Sequence, residues 1–150
     1  MSAVTIEPVE TRAQQRRFID LPWRIYADDP CWVPPLRLSQ EELLGFRQHP
    51  FYERNRSQSF LAIRGGRDVG RITAIVNRGH VERYQENRGF FGFSEADDDP
   101  DIAGALLAAT RGWLADRGMT AIRGPVNPSL NYECGLLIEG FETPPFFMMT

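Results

Sequence analysis

The chain has 150 residues, enough for one domain with a hydrophobic core, and its 42% hydrophobic and 25% charged content is ordinary for a globular protein. A net charge of −3 and a pI near 5.4 argue against a nucleic-acid partner, which needs a clustered positive surface. No apolar run approaches the roughly 20 residues of a membrane-spanning helix, and Met1–Glu7 lacks the parts of a signal peptide, so a cytoplasmic protein with no membrane partner is expected.

In chain order, Val4–Val9 alternates weakly and reads as a first strand. Thr11 is an N-cap for a helix running from Arg12 toward Ala27, with Phe18, Leu21 and Ile25 on one face and Pro22 bending or splitting it. Asp28–Leu36 holds Pro30, Pro34 and Pro35 and is an extended strap, with Trp32, Val33 and Leu36 to bury. Ser39–Phe46 reads as a short helix with Ser39 and Glu42 as its capping box. Ser59–Asn77 is a hairpin turning at Gly65-Gly66, and Gly79–Arg88 is a polar connector.

The best-determined stretch is Gly89–Gly124. An apolar strand at Gly89–Ser94 leads into an acidic turn, Glu95–Asp99. Asp99 is a good N-cap, Pro100 suits the first helical position, and Asp101 suits the positive end of the helix dipole. Ile102, Leu106, Ala109 and Trp113 form an apolar stripe with Leu107 and Leu114 beside it, and Gly118 can close the helix. Met119–Arg123 is then a second strand, parallel to the first through a right-handed crossover. The turn-rich loop Gly124–Gly135 follows, at the strand end where open α/β sheets bind ligands. Leu136–Phe141 reads as a further short strand, and the apolar end Pro144–Thr150 suggests a chain cut short.

The order strand, helices, hairpin, strand, helix, strand resembles the GNAT superfamily of acyl-CoA N-acyltransferases. The hairpin Phe60–Ile72, with Val69-Gly70 after its turn, is similar to that family's second and third strands. Asp29–Arg37, Gly89–Phe93, Gly124–Asn131 and Gly135–Phe141 resemble, more narrowly, a bacterial N-acetyltransferase-like family whose members are longer. The resemblance implies an α/β (α+β) fold: one GNAT-like domain over residues 1–150, with a mixed, mostly antiparallel sheet and helices on both faces. It also implies that this is the N-terminal part of a longer protein.

Functionally, the resemblance implies transfer of an acyl group from acyl-CoA to an amine. Acyl-CoA would be a cosubstrate, with no tightly bound cofactor and a small-molecule acceptor. Phe91, Gly92 and Phe93 fall on the strand that pairs with the pantetheine arm, Gly92 marking a bulge or close approach. One departure stands out. Where the family carries a glycine-rich loop cradling the coenzyme A pyrophosphate, this chain has Glu95-Ala96-Asp97-Asp98-Asp99-Pro100-Asp101. A helix terminus favours an anion by about 0.3–1 kcal/mol. One like-charge contact costs about 1–4 kcal/mol, so these acids oppose a diphosphate unless a metal or arginine neutralises them. A solvated N-terminal cap is preferred over a Mg²⁺ or Ca²⁺ site at Asp97, Asp98, Asp99 and Asp101, and no metal is expected. The alternative to an enzyme is a non-catalytic GNAT-like module that binds a ligand or packs on a partner domain.

Among candidate residues, Glu133 is placed to accept a proton from an amine, and Asn127, Ser129 and Asn131 to bind substrate; the alternative is that the amides and hydroxyl satisfy a tight turn. Arg71 is a further substrate-binding candidate, against a salt bridge or a solvated edge. Cys134 is expected buried and inert, and His49 and His80 at the surface. All 17 basic residues are arginine, so no lysine can serve as base or Schiff-base former. The two cysteines imply neither a disulfide framework nor a zinc site. A homodimer, or a missing C-terminal half, is the expected partner.

Overall fold

A computed structural model describes residues 3–145. The segments richest in strand formers make the centre of its sheet. Strands β2 (Arg56–Arg64) and β3 (Arg67–Val76) form the Gly65-Gly66 hairpin, and β3 is buried along most of its length. Strand β1 (Thr5–Pro8) pairs antiparallel with β2 at one edge; β4 (Arg88–Ala96) pairs antiparallel with β3. Beyond β4 lies β5 (Ala121–Arg123), parallel to it, completing the order β1-β2-β3-β4-β5. The mixed, mostly antiparallel sheet with the parallel crossover is the expected architecture. A two-stranded ribbon, β6 (Val126–Asn127) and β7 (Glu133–Cys134), follows in what had read as loop.

Helices cover both faces. Helix α4 (Pro100–Ala115) buries Ile102, Leu106, Thr110 and Leu114 against Phe60, Ala62, Ile72, Ala74 and Val76. The buried stripe is thus a four-residue repeat, with Ala109 and Trp113 at its margin and Leu107 turned outward. Each buried Ile or Leu contributes about 1.5–3 kcal/mol relative to exposure. Asp99 caps the helix and Gly118 (φ 78°) follows its end in the left-handed region.

On the other face, α1 (Arg12–Ile25) starts at a reciprocal Thr11–Gln14 capping box and lays Phe18 and Ile19 on Leu61 and Phe93. It does not split at Pro22; the proline lies inside one continuous helix, its ring buried. Helix α2 (Arg37–Leu43) begins two residues earlier than expected, with Leu36 at its N-cap position and no side-chain cap, so the Ser39–Glu42 capping box does not form. Residues 78–84, expected as connector, form α3 (Arg78–Tyr84), started by the Asn77 side chain and ended by Gln85 at φ 52°. In the strap, Trp32 packs on Trp23 and Tyr26, while Val33 and Leu36 stay exposed. No strand forms over 136–141, where Leu136, Leu137, Ile138 and Phe141 are exposed. Residues 146–150 of the apolar end lie outside the described residues.

Candidate functional site

The β3–β4 ladder slips by one residue. Thr73 faces Gly92 and Arg71 faces Glu95, so two steps along β3 meet three along β4. The extra residue is absorbed around Phe93, whose φ of 50° is a left-handed conformation that costs an L-residue about 1–2 kcal/mol. The Phe93 ring is nonetheless buried, locked among Val9, Phe18 and Leu61. Its backbone N–H donates to Asn127 Oδ1 at 2.6 Å. Strained backbone of this kind concentrates at functional sites.

Ribbon strand β6 lies over this bulge. A Cβ built on Gly92 would sit 1.6 Å from the Val126 carbonyl oxygen and 2.7 Å from Asn127 Oδ1, so only glycine permits the approach. The close approach expected at Gly92 is therefore present, made by the chain's own β6. Val126 is held there by Ile75, Phe90 and Phe51. Asn127 faces Glu133 across the ribbon and donates from Nδ2 to Glu133 Oε2 at 3.0 Å. The structure thus gathers Gly92, Phe93, Asn127 and Glu133 from three separate segments. Phe91 points to the opposite face, into the core beneath α4.

Ser129 and Asn131 lie a few residues away. Ser129 is buried and its Oγ accepts from the Asn131 N–H at 3.3 Å. Both line a cleft of about 360 Å³ shared with Asn77, His80, Tyr84 and Phe90. His80 was expected at the surface, yet its side chain is 11% exposed. It packs edge-on to Phe90 at 4.9 Å and bonds Glu86 through Nε2 at 2.6 Å. That bond, with Arg88 and Arg123 beside it, holds the Glu86 carboxyl below its usual value. Sequence reasoning missed His80 because it missed α3; the Asn77 cap was the available signal. His49 caps the 50–53 turn and its ring lies 5.6 Å from that of Tyr132. Cys134, expected buried, is exposed.

At the end of β4 the acids are held by arginines. Asp97 bonds both Arg24 and Arg67 at 3.0 Å, and Asp99 bonds Arg64 at 2.6 Å. Asp99 also accepts from the Asp101 N–H at 2.8 Å, so the first turn of α4 is occupied by its own carboxylate. The Arg64 bond, reinforced by that N–H, holds Asp99 below the usual carboxylate range. Arg17 grips Asp68 with Nε and Nη2, at 3.0 and 2.5 Å. Among the described residues no group of His, Cys, Asp and Glu is arranged to hold a metal ion.

Arg71 is buried behind this cluster. Pro22 has no N–H to give the Phe18 carbonyl, and that carbonyl accepts instead from Arg71 Nη1 at 2.9 Å. The guanidinium sits 4.9 Å over the Phe18 ring and 3.8 Å from Glu95, which in turn accepts from the Tyr26 hydroxyl. Burial lowers the Arg71 pKa to about 10, against the opposing pull of Glu95; it stays charged at neutral pH. Burial and the Glu95 carboxylate raise the Tyr26 phenol.

No family model matches the sequence. The chain is 43% identical over 148 residues to a bacterial ceramide synthase of Caulobacter vibrioides, covering 97% of this chain and 38% of that protein. It is 42% identical over 134 residues to protein YghO of Escherichia coli, covering 89% of this chain and 34% of that one. The chain therefore spans less than two fifths of either curated relative. Among solved structures it is similar to an aminoglycoside acetyltransferase from an uncultured soil metagenomic sample in complex with sisomicin. The TM-score is 0.56 at 17% identity, over 82% of this chain and 77% of that one. A tandem GNAT protein from the clavulanic acid biosynthesis pathway gives a TM-score of 0.57 at 17% identity, over 76% of this chain and 34% of that one. These likenesses show the fold. Within the described residues no helix is long and apolar enough to cross a membrane.

Proposed function

From the premise that this chain carries the GNAT fold, we propose that it is an N-acyltransferase, or the N-terminal part of one, moving an acyl group from acyl-CoA to the amine of a small molecule in the cytoplasm. The observation that carries this reading is the Phe93 N–H, turned out of the ladder by a left-handed residue and already holding an amide oxygen at 2.6 Å. That oxygen stands in for the thioester carbonyl, which displaces it on binding. As the amine nitrogen attacks, a C–N bond forms, the C–S bond breaks, and the N–H stabilises the transient oxyanion. A preorganised donor of this kind is worth about 2.7–4 kcal/mol in other enzymes. Glu133, anchored to Asn127 beside the reacting centre, takes the amine's proton, and the thiolate leaves. Asn127, Ser129, Asn131 and the His80 cleft lie on the acceptor side. The first-named relative supports amide formation, since a ceramide is an N-acylated amino alcohol. On this reading the donor's diphosphate docks away from the α4 N-terminus, because the Asp99 carboxylate already takes the N–H of the first turn and the nearby Arg24, Arg64 and Arg67 are spent on Asp97 and Asp99.

The second reading, a non-catalytic module, is favoured by a different fact: Gly92's clearing and the Phe93 N–H are both filled by the chain itself. One assay separates the two. The intact gene product is mixed with acyl-CoAs of graded chain length and candidate amines, and thiol release and amide formation are followed by mass spectrometry. The enzyme reading expects amide product, with kcat falling about 100-fold or more in Glu133→Gln. No thiol release, together with no thermal shift at millimolar acyl-CoA, selects the module.

A further inference from the structure

We propose that the trough at the far end of the sheet binds a single-chain amphiphile with an anionic head, taken up as a monomer. The trough lies between α3 and the C-terminal end of α4, and its volume of about 470 Å³ is within the ~300–1,000 Å³ of small-molecule sites. Val76, Val81 and Met119 supply an apolar floor, and Arg56, Arg78 and Arg117 stand around it. Glu82, the acid in the lining, is already engaged by Arg54 Nη2 through both oxygens, at 2.9 and 2.8 Å. Among the described residues no carboxylate pairs with Arg56, Arg78 or Arg117, in contrast to Arg17, Arg24, Arg64, Arg67 and Arg71. Arg56 donates from Nη1 to the carbonyls of Asn55 at 2.9 Å and Tyr52 at 3.5 Å, and Arg117 donates from Nη1 to that of Trp113 at 2.9 Å; among the described residues their other N–H groups are uncommitted. Arg117 is also stacked 3.7 Å over the Trp113 ring, which fixes its direction.

The composition of the trough selects the ligand. Guanidinium groups without acids call for phosphate or carboxylate, which they bind through paired N–H donors. The floor calls for methylenes, which a bare anion lacks. This positive patch also runs against the sign of the whole chain, whose net charge is −3.

The test uses decyl phosphate below its micellar concentration, titrated into the intact protein by calorimetry, with the fluorescence of Trp113 as a local reporter. One saturable site is expected. Arg56→Gln/Arg78→Gln should weaken binding about tenfold or more, as should replacing the probe by decanol or by inorganic phosphate. Both arginines are exposed and free of ion pairs, and circular dichroism confirms that the variant folds. Equal affinity in the double variant overturns the proposal. So does inorganic phosphate binding as tightly as decyl phosphate, which would mark a simple anion patch. Binding seen with anionic phospholipid vesicles but not with the monomer overturns it in favour of a surface contact.

Discussion

The two ends of the sheet use the same side chain in opposite ways. Around the β2–β3 turn and the start of α4, arginines and acids interlock: Arg17 with Asp68 and Glu7, Arg24 and Arg67 with Asp97, Arg64 with Asp99, Arg71 with Glu95. At the other end Arg56, Arg78 and Arg117 face an apolar trough whose one acid, Glu82, is taken by Arg54. Composition cannot tell these roles apart, because arginine is the chain's cation throughout. The partner within 4 Å decides: a compensated guanidinium cements, and an uncompensated one is available.

The strongest way to break this contrast is at Arg71. Arg71→Ala leaves Glu95 and the Phe18 carbonyl without their buried cation and should cost about 3–5 kcal/mol, read by urea denaturation. A smaller loss would mean water already serves that site. Gly92→Ala should cost about 1–3 kcal/mol, because the new methyl must push Val126 off the bulge; faster hydrogen exchange at the Phe93 amide would report the same displacement. The compensated end also predicts a pH response. The folded Asp99 carboxyl titrates below its unfolded value, so its stabilisation is complete above about pH 4 and lost as pH falls through the lower folded value. Arg64→Gln should flatten that acid limb of Tm against pH. At the uncompensated end, Arg56→Gln and Arg78→Gln should each change stability by no more than about 0.5 kcal/mol. A larger loss there would show these arginines to be structural after all.

How far the chain could be read in advance depended on whether the cause was local. Thr11, Gly65-Gly66, Asp99-Pro100 and Gly118 act within a few residues, and each was legible as a cap or turn, though the reciprocal bond from Gln14 was not. The parallel crossover followed from their spacing. Helix α3 was lost because Gly79 and its polar neighbours hide a seven-residue helix that Asn77 starts. Phe93 carries no sign of its positive φ; the bulge comes from register against β3. The acidic turn showed repulsion in sequence because Arg24 and Arg67, the partners of Asp97, are 73 and 30 positions distant. Pro22 showed a break in a helix, and only folding brings Arg71 to the carbonyl it frees. Leu136–Phe141 had the composition of a strand and no ladder to join. For the site, Gly92, Asn127 and Glu133 were legible as separate candidates, while their meeting at one amide was not.

The chain's two thiols occupy unlike places: Cys134 is exposed on β7, next to Glu133, and Cys31 is half-buried in the proline-rich strap. A spin label or fluorophore on each would turn the ribbon into the moving arm of a molecular ruler, read against the strap. A lengthening of that ruler when a thioester is added would be the signature of the ribbon yielding its seat on the bulge.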